Sequence, residues 1–301
     1  MRARVKRRQT IRRLEIVAII VVIAVSLGIG IYYALNASDP RSHYDLMPVS
    51  PKNFDDLYQA SVSTSYGTPG QNYLTRVKTL TGLPTFTKGG NPILVYVGAE
   101  FCPYCAVQRY SMIMALMRFG NFTGLEYMTS AFSDGDYSTF TFRNATYTSS
   151  YVVFESFEIY DRNDNPLATL PANYTSSFQQ YGGSAFPFLN FADQYYISGA
   201  ILDPSVLGSL NQSQVISSIM TGNTLGSEIK QAANVITAVI CETTGNKPAS
   251  VCDNPSITAL TISPLSYSPP TNSGSALILS NAASNLPSDS VTTGRDYRGW
   301  A

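Results

Sequence analysis

Two cysteines separated by two residues follow a short apolar segment, and this arrangement constrains the fold of the 301-residue chain more than any other feature. Residues 93–99, ILVYVGA, form an apolar run of the kind found in fully buried central strands. The segment 102–119 begins three residues later and has the apolar pattern of a helix. The sequence therefore predicts an α/β domain with Cys102-Pro103-Tyr104-Cys105 between a strand and the start of a helix.

This position predicts different roles for the two sulfur atoms. Unpaired amides and the helix dipole stabilise a thiolate at a helix N-terminus, where Cys102 is expected. Cys105 lies one turn deeper, within reach for an intramolecular disulfide. The pattern predicts thiol-disulfide exchange, in which Cys102 attacks or is attacked, a mixed disulfide forms, and Cys105 resolves it.

The segment around these cysteines resembles the thioredoxin superfamily. Residues 95–105, VYVGAEFCPYC, are similar to its strand and active-site motif, and the Pro-Tyr dipeptide is that of glutaredoxins. Phe-Cys-Pro-x-Cys is similar to the periplasmic oxidants of the DsbA type, and Phe186-Pro187 resembles the cis-proline of the superfamily. The resemblance implies a thioredoxin-like fold, a central mixed sheet flanked by helices, over about residues 90–240. It also implies catalytic roles for Cys102 and Cys105 and a substrate-binding surface formed by Pro103, Tyr104, Phe186 and Pro187.

Over a longer span, the chain resembles an uncharacterised family of membrane-anchored thioredoxin-like proteins of thermoacidophilic archaea, which has no assigned substrate. The chain departs from the thioredoxin pattern at the buried acid six residues before the first cysteine, because Tyr96 stands there. Glu100 is the nearest carboxylate; either it moves the proton of the second cysteine or it is an exposed charge at a strand end. A second departure is a β-rich insert at about 132–182, which either shapes the substrate face or, as we favour, extends the sheet.

An uncharged segment near the N-terminus predicts a membrane anchor. Residues 16–35 are twenty residues without charge, the length that crosses about 30 Å of hydrocarbon as a helix. We favour an uncleaved anchor over residues 14–35, with a cleavable signal sequence as the alternative and twin-arginine export as a minor one. The basic tail, residues 1–13, is then cytoplasmic, and residues 36–301 are extracytoplasmic.

The charge beyond the anchor argues against nucleic-acid binding. After residue 35 there are thirteen cations against nineteen anions, so the folded part is acidic, whereas nucleic-acid-binding domains are basic. Residues 36–52 contain three prolines and are predicted to be a linker, and residues 53–256 the extracytoplasmic domain. The Ser/Pro/Asn-rich segment 257–301 is predicted to be irregular coat or a loose tail rather than core.

The second pair of cysteines, Cys241 and Cys252, encloses a ten-residue loop. A structural disulfide fits best and stabilises such a loop by about 2.5–3 kcal/mol; a relay of electrons to the first pair is the alternative. Zinc binding by all four thiols is disfavoured by the long second spacing, and the only histidine, His43, lies in the linker. No metal and no cofactor are therefore expected.

An extracytoplasmic domain also predicts glycosylation. Sequons begin at Asn36, close to the anchor, and at four further positions at which modification is expected: Asn121, Asn144, Asn173 and Asn211.

The sequence thus predicts a membrane-anchored thiol-disulfide oxidoreductase that acts on exported cysteine-containing proteins, with a membrane protein as candidate redox partner. Oxidase or isomerase activity is favoured over reductase activity. The alternative is a non-catalytic thioredoxin-fold binding or envelope scaffold protein whose Cys102-Cys105 disulfide is structural.

Overall fold

The strand before the first cysteine pair lies inside a six-stranded sheet of the computed structural model, which describes residues 17, 19–27 and 44–262. This strand, β3, covers Asn91–Gly98, and its residues after Asn91 are all buried. Because both faces of the sheet are covered, the strand is continuously apolar rather than alternating. The other strands of the sheet are β1 (Lys78–Thr79), β2 (Thr87–Lys88), β8 (Val153–Glu158), β9 (Phe188–Phe191) and β10 (Tyr195–Ser198).

The pairing of β3 makes the sheet mixed. On one side it pairs in parallel with β8, in a register that places Gly98 opposite Glu158. On the other side it pairs antiparallel with β9, which forms a hairpin with β10. The sequence after residue 187 predicts this hairpin, and the prediction is confirmed. Along the main path, the order of strands is β1-β10-β9-β3-β2.

Helices cover both faces of this sheet. Leu94 and Tyr96 belong to the main core, which includes buried residues of helix α2 (Pro103–Met117) and helix α5 (Thr224–Thr243). On the opposite face, Ile93 and Val95 pack with Tyr174 of helix α3 (Ala172–Gly182). A mixed α/β fold with a helix-flanked sheet is therefore confirmed. The helices are α1 (Pro51–Val62), α2 (Pro103–Met117), α3 (Ala172–Gly182), α4 (Gln212–Thr221), α5 (Thr224–Thr243), α6 (Ala249–Cys252) and α7 (Pro255–Thr258).

The strands outside the central sheet form two separate two-stranded ladders between α2 and β8. One pairs β4 (Gly120–Thr123) with β7 (Thr146–Ser149), and the other pairs β5 (Glu126–Thr129) with β6 (Ser138–Thr141). The insert expected at 132–182 thus has different limits, because β8 and α3 within that range belong to the central sheet and its helical layer. The added β-structure covers about residues 120–149.

Two local expectations differ from the structure. The sequence of residues 73–80 predicts a strand, and this prediction is largely wrong, since Gln71–Arg76 is a 3₁₀ helix and only Lys78–Thr79 is strand. The apolar residues Tyr73, Leu74 and Val77 are spaced by one and three positions, which suits a helical turn as well as a strand. Folded structure also continues beyond residue 256, because Ile257 and Leu260 are buried in the core; residues 263–301 lie outside the described residues.

The predicted anchor, residues 14–35, lies mostly outside the described residues. Positions 17 and 19–27 of this segment are helical, and their Val, Ile and Leu side chains are more than half exposed. Across the described ranges, no helix meets the length and apolarity needed to cross a membrane.

Candidate functional site

The first cysteine pair lies where β3 passes into α2. Cys102 is the N-cap of α2, and its sulfur accepts a hydrogen bond from the Cys105 backbone N–H at 3.2 Å. Pro103 occupies the first turn, where its missing N–H and fixed φ cost the helix nothing. Both cysteines are free thiols, with side chains buried from solvent. The local sequence thus brings the two sulfurs to one helix N-terminus, where the dipole favours negative charge.

The segment before β9 forms the opposite wall of the site. The Phe186-Pro187 peptide bond is cis. The Cys102 thiol lies 3.9 Å from the Phe186 carbonyl oxygen, in position to donate to it, and the Pro187 carbonyl accepts from Gly199 N–H at 2.8 Å. The fold therefore joins two sequence segments that are about eighty residues apart, Cys102-Cys105 and Phe186-Pro187.

Aromatic side chains surround the sulfur of Cys102. The rings of Phe101, Tyr160 and Phe186 have centroids 6.0–6.5 Å apart in each pair and pack against the two cysteines. Tyr104, predicted to bind substrate, is 41% exposed on the outside of the helix start, and Pro103 is half-buried. The outer rim of the site is therefore apolar and aromatic.

A buried ion pair lies beneath the cysteines. Arg109, one helical turn after Cys105, is fully buried and contacts Glu158, the last residue of β8. Its Nε and Nη2 donate to the two carboxylate oxygens at 3.0 and 2.7 Å, and Nη2 also donates to the Ala99 carbonyl at 2.8 Å. Glu158 is 3% exposed. This bidentate pair ties α2 to the sheet and puts a full positive charge close to the dithiol.

The two thiols share one hydrogen-bonded, buried environment, so they do not both ionise easily. Burial raises the pKa of Cys102 well above its ordinary value, and the neighbouring Cys105 sulfur adds to the rise. Burial also opposes ionisation of Cys105, but the hydrogen bond from Cys102 and the Arg109 charge outweigh it and lower the pKa of Cys105. The pair thus shares one ionisation, favoured by the α2 N-terminus at Cys102 and by the Arg109 charge at Cys105.

Tyr96 fills the place of the buried acid of thioredoxins. It is fully buried, and its hydroxyl oxygen makes no hydrogen bond within residues 44–262 or the described N-terminal positions. A Cβ atom at position 98 would overlap that oxygen, so glycine at 98 creates the space it occupies. Burial, opposed by the charge of Arg109, raises the pKa of Tyr96 well above its ordinary value. The phenol is therefore neutral at physiological pH and cannot act as the missing carboxylate.

Glu100 has a different environment from the exposed strand end that one of its two predictions assumed. It is fully buried rather than an exposed strand-end charge, and it forms an ion pair with Arg143. Thr141 donates to its Oε1 at 2.7 Å. Burial, aided by the charge of Glu158, raises the pKa of Glu100 despite these partners. Its bonds fix strand β6 beside the site, while Glu158 is the carboxylate whose charge acts on Cys105.

The second cysteine pair lies away from this site, at the end of α5. Cys241 and Cys252 form a disulfide with an S–S distance of 2.03 Å and a Cα–Cα distance of 5.6 Å. Both residues are buried in the main hydrophobic core. All four sequon asparagines expected to be glycosylated, Asn121, Asn144, Asn173 and Asn211, are exposed.

Sequence reasoning missed the two charged residues of the site. Arg109 has a detectable signal, since it stands four residues after Cys105 inside an otherwise apolar helical pattern. Glu158 has a weaker one, because its proximity depends on the parallel register of β8 with β3. An arginine in the middle of a buried helix predicts a carboxylate partner, but not which one.

These features define a class: a mixed α/β protein with a buried Cys-x-x-Cys dithiol at a helix start, facing a cis-proline in the segment before β9. The chain belongs to the family described as Domain of unknown function (DUF929), whose sequence model matches residues 83–242. That range contains Cys102, Cys105 and Pro187. No curated protein and no solved structure matches the chain.

Proposed function

We propose that the chain is a thiol-disulfide oxidoreductase with a thioredoxin-like fold. The order β3-α2-β8, followed by α3, the β9-β10 hairpin and α5, supports the fold, because it gives two parallel strands joined through a helix and then an antiparallel pair. In this scheme the ladders of residues 120–149 are an addition between α2 and β8.

The observation that carries the proposal is the position of the Cys102 sulfur at the N-terminus of α2, beside the cis bond before Pro187 and bonded to the Cys105 N–H. A strand-like substrate segment that pairs with the backbone before β9 would bring its own sulfur toward Cys102. The apolar rings around the site suit the apolar flanks of unfolded chains.

Oxidation of a substrate by the Cys102–Cys105 disulfide takes two steps. A substrate thiolate attacks the Cys102 sulfur of the oxidised pair, the Cys102–Cys105 bond breaks, and Cys105 leaves with the electron pair. A second substrate thiol then loses its proton, attacks the first substrate sulfur, and releases Cys102. The substrate is oxidised to a disulfide, and the two cysteines are reduced to thiols by the two electrons that the substrate loses. Reductase activity is the same sequence in reverse.

We also propose an extracytoplasmic location, with the chain held at the membrane through residues 14–35. The exposed apolar helix at 19–27 and the basic residues before it support this placement. The substrates are then exported proteins that contain cysteines, a membrane protein is the candidate redox partner, and the four exposed sequons are available for glycosylation. Such a compartment also preserves the Cys241–Cys252 disulfide.

Trapping of a mixed disulfide tests the proposal. With Cys105→Ser, a mixed disulfide formed at Cys102 cannot be resolved by residue 105. We expect the full chain to accumulate adducts with an oxidised peptide disulfide, formed when the Cys102 thiolate attacks one peptide sulfur and the other peptide sulfur leaves as a thiolate. Cys102→Ser is the matched control and is expected to give none, since Cys105 is fully buried. If Cys105→Ser folds and traps no more than Cys102→Ser, the pair is structural and the protein is a scaffold.

A further inference from the structure

The charge nearest to Cys105 belongs to Arg109, and the fold holds it there firmly. Residues four apart on a helix lie on the same face, so Arg109 stands directly behind Cys105. Two of its nitrogens are fixed by Glu158 and the Ala99 carbonyl. The third, Nη1, is buried and makes no hydrogen bond to any described residue. The guanidinium thus keeps one buried donor nitrogen that neither Glu158 nor the Ala99 carbonyl engages.

The other groups around Cys105 cannot replace this charge. Cys102 is a thiol, the Tyr96 phenol is neutral, and Glu158 is an anion that opposes a thiolate. Because the pair is buried, water screens these charges little, and their effect on the sulfur is larger than at a surface. The sign of the field at Cys105 therefore depends on the balance between one cation and one anion.

We propose that Arg109 is a positioning residue that stabilises the Cys105 thiolate released from the Cys102–Cys105 disulfide, and that Glu158 limits this effect. The inference rests on the proposed function and adds to it the direction of electron flow. A leaving thiol of lower pKa departs faster, and stabilisation of the thiolate favours the reduced pair. The oxidised protein therefore accepts electrons readily and acts as a disulfide donor.

The test compares Arg109→Met with Glu158→Gln in the full chain. Each variant is equilibrated with graded glutathione redox buffers, and the equilibrium constant for oxidation of glutathione by Cys102-Cys105 is measured. One pKa unit of lost thiolate stabilisation corresponds to a tenfold change. We expect Arg109→Met to lower the constant about tenfold, equivalent to about 30 mV for two electrons. We expect Glu158→Gln to raise it, since it removes the opposing anion.

The opposite signs distinguish electrostatics from packing. Both variants break the same ion pair and leave one buried charge unpaired, which destabilises the protein in either case. A pair that only joins α2 to β8 would shift both constants in the same direction or in neither. The pH titration of thiolate absorbance supplies an independent reading, with the lower apparent pKa of the dithiol expected to rise in Arg109→Met and fall in Glu158→Gln.

Two further variants serve as controls for this experiment. Arg109→Met/Glu158→Gln removes both charges and leaves neither unpaired, so it can be measured even if the single variants do not fold. Its equilibrium constant is expected to stay below that of the wild type. Arg118→Met removes another buried arginine of the same helical segment, about 14 Å from Arg109 along the helix axis, and is expected to leave the constant unchanged. Shifts of equal sign, or an unchanged double variant, overturn the inference. An unreactive wild-type Cys102 overturns the proposed function instead.

Discussion

The two cysteine pairs have the same chemistry available to them but lie in different surroundings. Cys241 and Cys252 are joined at the end of α5 within the main apolar core. Cys102 and Cys105 are free thiols at a helix N-terminus, with Arg109 and Glu158 beneath them. Phe101, Tyr160 and Phe186 pack against Cys102 and Cys105, and the Cys102 sulfur lies 3.9 Å from the Phe186 carbonyl oxygen.

Under the proposed function, this difference explains why the first pair exchanges disulfides and the second does not. Both pairs are almost fully buried, with the four cysteines 0–5% exposed, so burial does not separate them. The pair at α2 has a helix N-terminus for one sulfur and a cation for the other. Spacing alone, two intervening residues against ten, does not separate a reactive pair from a structural one.

The largest expected effect is on exchange activity. Cys102→Ser removes the attacked sulfur, so we expect oxidation of a reduced dithiol peptide to fall to the uncatalysed rate. The double variant Cys241→Ala/Cys252→Ala is expected to retain the wild-type rate under conditions where it is folded. Measurement of peptide oxidation by each variant checks this. Equal losses in both would remove the functional distinction between the pairs.

The next largest effect is on stability, where removal of the second cysteine pair is expected to cost more than removal of the first. Loss of the Cys241–Cys252 link frees a loop of sequence separation 11, which lowers the free energy of unfolding by about 3 kcal/mol in the chain-entropy model. Cys102→Ala/Cys105→Ala, compared with the reduced wild type, is expected to cost about 1 kcal/mol. Urea unfolding curves give both values. A larger loss from the first site would contradict the assignment of a structural role to the second.

A steric prediction concerns the floor of the site. Gly98→Ala forces a methyl group onto the Tyr96 hydroxyl and ring, and overpacking of a dense core costs about 1–3 kcal/mol. Gly245→Ala, near the second pair, is the opposite case, because nothing crowds its added methyl group and only its positive φ of +64° opposes the substitution. Thermal unfolding measures both. We expect Gly98→Ala also to disturb thiol reactivity, whereas Gly245→Ala leaves it unchanged.

The smallest predicted effect is a dependence of stability on pH that comes from Asp45, which contacts Thr129 and Arg162. Burial raises the pKa of Asp45 to about 7, from 3.8, against the hydrogen bond from Thr129 and the charge of Arg162. The folded protein thus retains a proton that the unfolded chain has released. Its contribution to stability is complete below pH about 4 and is lost as the pH rises to about 7.

Asp45→Asn removes this titration. The stability of the variant relative to the wild type is expected to increase by about 1 kcal/mol between pH 4 and pH 7, after allowance for solvent screening of a partly exposed group. Chemical unfolding at the two pH values gives the difference. A relative stability that is constant across this range would contradict a raised pKa at Asp45.

Much of the site follows from the sequence because its signals are local. The apolar run of β3, the helix after it and the spacing of Cys102 and Cys105 are each contained in a few residues. The partners of the dithiol are not local. Glu158 reaches Arg109 only through the register of β8, and Glu100 is buried only because Arg143, far along the chain, pairs with it. The 3₁₀ helix at 71–76 was missed because its apolar spacing fits two structures.

The reduction potentials of both pairs, measured together in the full chain, test the central claim most directly. Thiol trapping in graded redox buffers, followed by mass spectrometry of peptides from each pair, reports the two equilibria separately. We predict a potential of about −180 to −120 mV for Cys102-Cys105 and one below about −300 mV for Cys241-Cys252. A Cys102-Cys105 disulfide that also resists reduction below about −300 mV would contradict the account and make both pairs structural.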